Sequence, residues 1–296
     1  MTIGIISGSD QFLSLAYTLA NNNLQVCIYF TPGQDPYVNQ KVMTLAARFQ
    51  LVTGQEPDDV YNWVKQVNPS VVFVYGYPSL LDIVQFSMPA FNIHAGPLPA
   101  FRGPVPVFWQ LKMGMAQLCL SIHILSDRFD AGAVVWNKYI PDQPHYNYAL
   151  VHQIFSQLVM EGVYYILNAL ITGKVLNAIP PDGVNAYHKR PAAKDVTIDW
   201  ERMSAREICN LIRACNPWNK GAAANIDGQQ IKLLDGMHTG KKTDLPGGSV
   251  VHEGGQLLIA AADAQLIQVN MLVLEDMYVP AYQAAFYGIK KGLILK

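Results

Sequence analysis

The stretch Ser70–Tyr75 reads SVVFVY, a run of β-branched and aromatic residues without the alternation of polar and apolar positions. A strand with this pattern is buried on both faces, as in a parallel sheet covered by helices. Comparable apolar runs occur at Thr2–Ile6, Leu24–Phe30, Phe91–His94 and Leu118–Leu125. Helical patterns lie between the earlier runs, at Gln11–Ala20, Tyr37–Arg48 and Asp58–Val67. This order predicts an α/β fold built on an open, mostly parallel sheet.

The middle of the chain changes from regular elements to turns. Tyr146–Ile171 is long and amphipathic, contains no Pro and has a single Gly. We expect it to form a helix that closes a first domain over residues 1–178. Ile179–Lys194 then contains Pro-Pro-Asp-Gly and Arg-Pro, which favour turns, so we predict a linker over residues 179–203.

Residues 204–296 combine one helical pattern with short strands. The helix is expected over Ser204–Ala214, with Ser204 as its N-cap and Glu207 at the capping-box position. Asp227-Gly228 separates two short apolar runs and predicts a β-hairpin. The strands are expected at Ala223–Ile226, Gln230–Leu234 and Leu266–Leu274. The pattern favours a small β-barrel-like domain.

Length, composition and charge exclude several classes of protein. The chain has 296 residues, 51% of them hydrophobic, which is enough to bury a large core. Lys and Arg total 21 and Asp and Glu total 22, a net charge of -1 that does not indicate a nucleic-acid-binding protein. The N-terminus lacks the basic region of a signal peptide, and no apolar stretch has the ~18 residues of a membrane span. We expect a cytoplasmic chain without membrane contact.

The cysteines form neither a Cys-x-x-Cys pair nor a metal-binding spacing with histidine. They are Cys27, Cys119, Cys209 and Cys215. We expect structural free thiols in a reducing compartment, and no metal site.

Polar side chains follow two of the predicted strands. Asn92 and His94 are two residues apart at the end of one strand, so they project to the same face. Asp130 follows the Leu118–Leu125 strand in a loop closed by Gly132. Because ligands collect at the carboxyl ends of strands in open parallel sheets, we expect these ends to bring the three side chains together.

An amide, an imidazole and a carboxylate suit acyl transfer to an amine. A neutral Asn can donate to the oxyanion that forms when the amine attacks a carbonyl. The imidazole can donate to that oxygen or move the proton of the amine. The carboxylate orients the ring and favours its charged form. Taken singly, however, His94 also fits a buried core histidine, Asn92 a turn residue and Asp130 a loop or cap carboxylate. His123, which alternates with apolar residues, favours a structural role.

The segment Phe91–Gly103, FNIHAGPLPAFRG, resembles the signature of the folate-dependent formyltransferases. In that family Asn-x-His precedes a Leu-Pro-x-aromatic-Arg-Gly loop, and an Asp in an Asp-x-Gly context follows at the interval that separates His94 from Asp130. The resemblance implies that Asn92, His94 and Asp130 are the catalytic residues. It also implies a Rossmann-like catalytic core.

The same resemblance implies a donor, 10-formyltetrahydrofolate, and no metal. Its pterin is expected to contact the end of the Ser70–Tyr75 strand and two loops. The residues concerned are Tyr75, Gly76, Tyr77, Pro78, Gly96, Pro97, Leu98, Pro99, Ser126, Asp127 and Arg128. Gly96 replaces the serine that is usual in the family, so a side-chain hydrogen bond is lost from this position.

The second half of the chain is similar to methionyl-tRNA formyltransferases. The similarity lies in Arg190-Pro191, in Ile198-Asp199-Trp200 and in Ile212–Trp218, IRACNPW. In that family the C-terminal domain is an open, OB-like β-barrel. The resemblance therefore extends the expected fold over nearly the whole chain.

The acceptor is predicted to be a small-molecule amine, either an amino sugar on a nucleotide carrier or a hydroxyornithine-type amine. Relatives that act on tRNA carry a basic loop after the second strand, whereas Thr31–Val42 contains only Lys41 as a basic residue. Residues 204–296 have nine Lys and Arg against eight Asp and Glu, so tRNA is disfavoured. We expect Ser9, Asp10 and Arg102 to face the acceptor. The alternatives are a methionyl-tRNA formyltransferase, a non-catalytic folate-binding protein and a hydrolase in which water replaces the amine.

Overall fold

The computed structural model describes residues 1–55, 57–183 and 185–296, so Val184 of the expected linker lies outside the described residues. The chain divides into two compact units. The first comprises Met1–Pro106, Cys119–Ile140 and His152–Lys189, and the second comprises Val107–Leu118, Pro141–Val151 and Arg190–Lys296.

The first unit is built on a seven-stranded sheet in the order β3-β2-β1-β4-β5-β6-β7. The strands are β1 Thr2–Ser7, β2 Gln25–Phe30, β3 Gln50–Thr53, β4 Val71–Tyr75, β5 Ala90–His94, β6 Gln117–Ile124 and β7 Val134–Pro141. This unit contains α1 Leu13–Asn21, α2 Pro36–Leu45, α3 Pro57–Val67, a 3₁₀ turn at Ile83–Gln85 and most of α5 Tyr148–Thr172. Helix α4 Pro106–Lys112 lies almost entirely in the second unit.

The sheet is parallel from β3 to β5. Every residue of the central strand β4 is buried, as its uninterrupted apolar sequence predicts. Phe73 of β4 stacks on Phe91 of β5 with ring centroids 5.8 Å apart. The predicted fold class, an open and mostly parallel sheet followed by a small β domain, is confirmed.

Strand β6 departs from the parallel arrangement. It pairs with β5 in the antiparallel sense, with Phe91 opposite Ile124 and His94 opposite Ser121. The carboxyl end of β6 therefore lies beside the start of β5, and not beside its end. The expectation that the carboxyl ends of both strands meet is wrong, because the chain enters β6 from the same edge at which β5 ends.

Two strands of the sheet have no counterpart among the predicted runs. Strand β3 has only four residues, and Val52 in it is 41% exposed. In β7, Val135 is buried, whereas Asn137, Lys138 and Tyr139 are exposed in succession. Strands β3 and β7 are the two edge strands, and short or partly polar edge strands carry a weak sequence pattern. Helix α2 begins at Pro36 after the N-cap Asp35, whose side chain accepts from the Tyr37 amide at 2.9 Å.

The expectation that no apolar stretch is long enough for a membrane span is wrong, because helix α5 has the length and composition to cross a bilayer. Within the first unit, however, it buries a stripe at helical spacing that includes Phe155, Val159, Val163 and Ile166. A Cβ at Gly162 would lie 2.6 Å from Ile122 and from the Trp136 ring, so the helix lies very close to β6 and β7. This is the arrangement of a helix that belongs to a packed core.

The second unit contains an antiparallel sheet in the order β10-β11-β12-β9-β8, with β13 also paired to β12. Its strands are β8 Ala222–Ile226, β9 Gln229–Lys242, β10 Val250–Glu253, β11 Gln256–Ala260, β12 Gln265–Leu274 and β13 Met277–Pro280. Its helices are α6 Ala193–Val196 and α7 Ala205–Cys215, with a 3₁₀ segment at Ala281–Tyr287. The predicted hairpin turn is present: Asp227 and Gly228 have φ values of 46° and 87°, as a type I′ turn requires.

The second unit also includes residues 107–118 and 141–151. Within that unit Arg213 of α7 forms a two-pronged ion pair with Asp142, with nitrogen–oxygen distances of 2.7 and 2.6 Å. Both side chains are mostly buried. This charge-assisted pair attaches the 141–151 segment to α7.

The capping box predicted at the start of α7 is present. The Ser204 hydroxyl accepts from the Glu207 amide at 3.3 Å, and the Glu207 carboxylate accepts from the Ser204 amide at 2.8 Å. These two bonds satisfy backbone donors that the first turn of a helix leaves without partners.

We expect Ser204→Ala to lower the free energy of unfolding by about 1 kcal/mol, because the cap bond to the helix is lost. Urea denaturation followed by circular dichroism measures this change. Ser204→Thr retains the hydroxyl and should stay close to the wild type. Equal stability of the alanine and threonine variants would contradict the assigned cap.

Candidate active site

Two of the predicted catalytic side chains lie on one face of the sheet. Asn92 and His94 are alternate residues of β5, and they pair across to His123 and Ser121 of β6. Residues directly opposite each other in an antiparallel pair share a face, so all four polar side chains lie on the same side. His94 is buried and Asn92 is half-buried. These four side chains form a polar patch on a sheet that is otherwise apolar.

Asp130 is brought to this patch by the loop that follows β6. Its Oδ1 lies 3.1 Å from Nδ2 of Asn92 and 3.2 Å from Nδ1 of His94. The residue is buried and has a φ of 52°, a left-handed conformation that Asp adopts more readily than most residues. The structure thus brings the three predicted side chains into direct contact.

The loop returns to the sheet face because its backbone is held close to the end of β6. The Ile124 amide donates to Ala133 O at 2.9 Å. A Cβ at Gly132 would lie only 1.8 Å from Ile124 O, so glycine is required there. The Arg102 guanidinium donates to Phe129 O from two nitrogens. Asp130 therefore reaches Asn92 through a tight returning loop, and not through the meeting of two strand ends.

The second oxygen of Asp130 has a backbone partner. The Gly103 amide donates to Oδ2 at 2.8 Å. Burial raises the pKa of Asp130, but the charge of His94 and the hydrogen bonds that the carboxylate accepts outweigh it. The pKa of Asp130 is consequently well below its usual value, and the group is ionised at neutral pH.

His94 is held at both ring nitrogens. Its Nε2 lies 2.7 Å from Phe101 O, and because a carbonyl only accepts, Nε2 carries a proton. Its Nδ1 faces the Asp130 carboxylate. Burial lowers the pKa of His94, while the Asp130 charge and the Phe101 carbonyl raise it, and the net shift is upward. The arrangement favours a charged imidazolium beside an ionised carboxylate.

His123, which the sequence assigned to a structural role, also belongs to this network. Its Nδ1 donates to Ile124 O at 2.8 Å, and its Nε2 accepts from the side-chain amide of Asn92, because an amide nitrogen only donates. That Nε2 lies 3.0 Å from Nδ2 of Asn92. The two amide hydrogens of Asn92 are thus directed at His123 and at Asp130. Donation from Asn92 to a substrate oxygen requires one of these bonds to be exchanged.

The first two segments predicted to contact folate lie at the ends of neighbouring parallel strands, since Tyr75–Pro78 follows β4 and Gly96–Pro99 follows β5. Gly8 donates to Gly76 O at 3.2 Å, which brings the loop after β1 against the loop after β4. A Cβ at Gly96 would lie 2.8 Å from Pro106 Cβ, so the loop here packs too closely for the serine usual in the family.

The third predicted folate segment, Ser126–Arg128, lies in the same loop as Asp130. The Ser126 hydroxyl donates to Arg128 O at 2.8 Å. The side chains of Asp127 and Arg128 are 80% and 75% exposed, so they are free to approach a ligand.

The residues predicted to face the acceptor are not equivalent. Ser9 and Asp10 lie in the loop after β1, and Asp10 forms an ion pair with Lys41 at 2.6 Å. Arg102, in contrast, is committed to Phe129 O and to Oδ1 of Asn185, the latter at 3.1 Å. Its guanidinium braces the Asp130 loop.

A further pair of residues beside the β1 loop escaped the sequence analysis. Gln11 Nε2 donates to Nδ1 of His152 on α5 at 3.1 Å. Desolvation lowers the pKa of His152 to about 4, against a smaller upward effect of Asp10, so the ring is neutral at pH 7. The two residues are 141 positions apart, and nothing in the local pattern of either one indicates the contact.

Within the described parts of the chain, no group of three or more His, Cys, Asp or Glu side chains is arranged to hold a metal ion. The four cysteines are free thiols.

Comparison with known proteins decides the family. A family model described as formyl transferase matches residues 5–162, and a model of the formyl transferase C-terminal domain matches residues 192–277. The chain belongs to the formyl transferase family. The prediction of this family of transferase enzymes from the FNIHAGPLPAFRG segment is therefore confirmed.

The proteins that resemble this chain carry different names. The methionyl-tRNA formyltransferase of Geotalea uraniireducens (strain Rf4) is 27% identical over 223 residues, covering 73% of this chain and 69% of that protein. HypX from Aquifex aeolicus, crystallised with tetrahydrofolic acid, has a TM-score of 0.70 at 15% identity and covers 95% of this chain. The match takes in 46% of HypX, so the chain spans about half of that protein.

A sugar formyltransferase shares the fold over most of its length. WlaRD, a sugar 3N-formyl transferase crystallised with dTDP and 5-N-formyl-THF, has a TM-score of 0.71 at 13% identity. The match covers 91% of this chain and 97% of WlaRD. At these identities the likeness to the two solved structures shows the fold alone.

We expect Asp130→Asn to reduce kcat by about 10⁴-fold, the scale of loss when a carboxylate that orients a catalytic imidazole is changed to an amide. With the carboxylate gone, the burial of His94 is no longer opposed by a negative charge, so the pKa of His94 falls. Since the imidazolium is lost as pH rises through that pKa, the alkaline limb of the pH–rate profile should move to lower pH. Steady-state kinetics over a pH series measures both effects.

Asp127→Asn is the matched control, because it removes an exposed carboxylate from the same loop. Its kcat should stay close to that of the wild type, whatever happens to donor binding. Near-full activity of Asp130→Asn would contradict the role of Asp130.

Proposed function

We propose that the chain is an N-formyltransferase that moves a formyl group from 10-formyltetrahydrofolate to the amine of a small molecule. The observation that carries the reaction is the contact of Asp130 with both Asn92 and His94 on one face of the sheet. The family match supports the same reaction.

The chemistry needs no protein nucleophile, since the amine attacks the formyl carbon directly. As the new C–N bond forms, the formyl oxygen becomes negative, and Asn92 is placed to donate to it after exchanging one of its present bonds. The bond to the nitrogen of the folate carrier then breaks, and a proton passes from the amine to that nitrogen.

One of the two ring nitrogens of His94 can take part in this proton transfer. Nε2 is held by Phe101 O, so Nδ1 is the nitrogen that can exchange a proton with the reacting groups, once its contact with Asp130 is exchanged for one with them. An ionised Asp130 stabilises the imidazolium form while it holds this proton. His94 and Asp130 thus supply a buried acid and the negative charge that stabilises it.

Support for the folate donor comes from the shape of the loops and from relatives. A pterin requires backbone hydrogen-bonding groups on its edge and an apolar slot for its faces. The loops after β4 and β5 are rich in Gly and Pro and lie side by side. HypX was crystallised with tetrahydrofolic acid and WlaRD with 5-N-formyl-THF.

Support for a small acceptor comes from the charge beside the β1 loop. Lys41 is the single basic residue of Thr31–Val42, and its ammonium lies 2.6 Å from the Asp10 carboxylate. A paired lysine offers little attraction to a polyanion, and tRNA binding depends on several phosphate contacts. The charge arrangement thus favours a small amine over tRNA.

The second candidate is methionyl-tRNA formylation. It is favoured by the 27% identity to the Geotalea uraniireducens enzyme over most of the chain. It differs from the proposal in its acceptor alone, so both share the donor and the catalytic residues.

Incubation with 10-formyltetrahydrofolate and a panel of acceptors should decide between them. The panel holds an amino-sugar nucleotide, hydroxyornithine and initiator methionyl-tRNA, and mass spectrometry detects the added formyl group. We expect a small amine to be formylated with kcat/KM in the range of about 10⁴–10⁸ M⁻¹s⁻¹, and the tRNA to be a far poorer substrate.

The Asp130→Ala variant serves as the blank, since it retains the folate loops but lacks the carboxylate. Efficient formylation of the tRNA with inert small amines, together with a steep loss of rate as salt increases, would establish the second candidate instead. Release of formate without any formylated product would point to the hydrolase, and donor binding without turnover to a non-catalytic protein.

A further inference from the structure

Residues 185–188, hereafter the strap, lie along the loop that follows β5. Three backbone hydrogen bonds join them: Ala186 N to Pro99 O at 3.2 Å, Arg102 N to Ala186 O at 3.1 Å, and His188 N to Arg102 O at 2.8 Å. The sequence assigned this segment to a linker between domains. In the structure it pairs with the loop in the manner of a short parallel strand.

Side chains reinforce the strap at both of its ends. The His188 ring stacks on Phe101 with centroids 5.1 Å apart and planes 25° apart. Its Nε2 lies 3.1 Å from Ala100 O. At the other end, Oδ1 of Asn185 accepts from Nη1 of Arg102 at 3.1 Å. Backbone, ring and guanidinium contacts therefore act on the same few loop residues.

The loop residues held by the strap are the ones that hold the catalytic pair. Phe101 O accepts from His94 Nε2 at 2.7 Å, and the Gly103 amide donates to Asp130 Oδ2 at 2.8 Å. The approach is close, since a Cβ at Gly103 would lie 2.0 Å from His188 O. A shift of the strap would move both contacts at once.

We infer that the strap is a positioning element of the active site, in which His188 and Asn185 fix the loop that orients His94 and Asp130. Neither residue touches the reacting atoms. His188 acts through Phe101 and its carbonyl, and Asn185 acts through Arg102 and Phe129 O. The inference rests on the proposed formyl transfer for its consequence in catalysis, but the geometry stands without it.

A positioning role differs measurably from a structural one. The Phe101 carbonyl is among the groups that raise the pKa of His94, so releasing it should lower that pKa. Asn185 is exposed and His188 is partly exposed, so shortening either side chain does not leave a cavity in the core. The effect should therefore appear in protonation and turnover, with little change in stability.

The test compares His188→Ala, His188→Phe, Asn185→Ala and the control Tyr187→Ala. Tyr187 belongs to the strap, but its ring is about half exposed and neighbouring side chains of an extended segment point to opposite sides. A pH titration of ¹⁵N-histidine-labelled protein reports the pKa of His94 without substrate. Kinetics with the 10-formyl donor then separates kcat from KM.

In His188→Ala we expect a lower pKa for His94 and a kcat about 10- to 100-fold lower, the scale of a misplacement near 1 Å, with KM for the donor little changed. His188→Phe keeps a ring stacked on Phe101, so the pKa of His94 and kcat should return most of the way to their wild-type values. Asn185→Ala should lower the pKa of His94 and kcat as well, but by smaller amounts. This variant tests the inference if His188→Ala fails to fold. Tyr187→Ala should match the wild type.

An unchanged titration of His94 in the folded His188→Ala and Asn185→Ala variants would overturn the inference. Equal effects of Tyr187→Ala would also overturn it, as would a fall in melting temperature with full kcat. Because the titration needs no acceptor, a panel in which no amine is formylated refutes the proposed function and leaves the strap to be judged by the protonation of His94.

Discussion

The buried carboxylate of Asp130 is the interaction on which the rest of the site depends. One oxygen faces Asn92 and His94, and the other accepts from the Gly103 amide. An ionised carboxylate without such partners is costly to bury, so strand, loop and backbone must all be in place before the charge is tolerated. The pKa of Asp130 is lowered by folding, so its contribution to stability is present above the ordinary value of about 3.9 and is lost as the pH falls toward the lowered value.

The demands of this carboxylate explain several local features of the chain. Gly132 permits the close return of the loop to Ile124, and the left-handed backbone of Asp130 aims its side chain at the sheet. Arg102 joins the loop after β5 to the loop after β6 by donating to Phe129 O. The strap also holds the loop after β5 through three backbone hydrogen bonds. Two loops that are distant in sequence are thereby held as one surface around His94.

Features of the fold and the site could be predicted from the sequence where they depend on neighbouring residues, and not where they depend on contacts distant in sequence. The apolar run of Ser70–Tyr75 and the spacing of Asn92, His94 and Asp130 are local or family patterns, and they indicated the sheet and the predicted catalytic three. The direction of β6 could not be predicted, because its apolar sequence suits either sense of pairing. Ser121-x-His123 shows the same alternation as Asn92-x-His94, so His123 had a usable signal, whereas the strap consists mainly of long-range backbone bonds that leave no trace in side-chain pattern.

The charge state of Asp130 is the central claim, and ¹³C NMR of aspartate-labelled protein tests it most directly. The side-chain carboxyl carbon of Asp130 should keep the chemical shift of an ionised group as the pH is lowered from 7 to about 4. An aspartate with the ordinary pKa of about 3.9 begins to protonate in this range. Assignment comes from loss of the signal in Asp130→Asn. An Asp130 signal that titrates within this range, or at higher pH, would contradict the ion pair with His94 and the roles built on it.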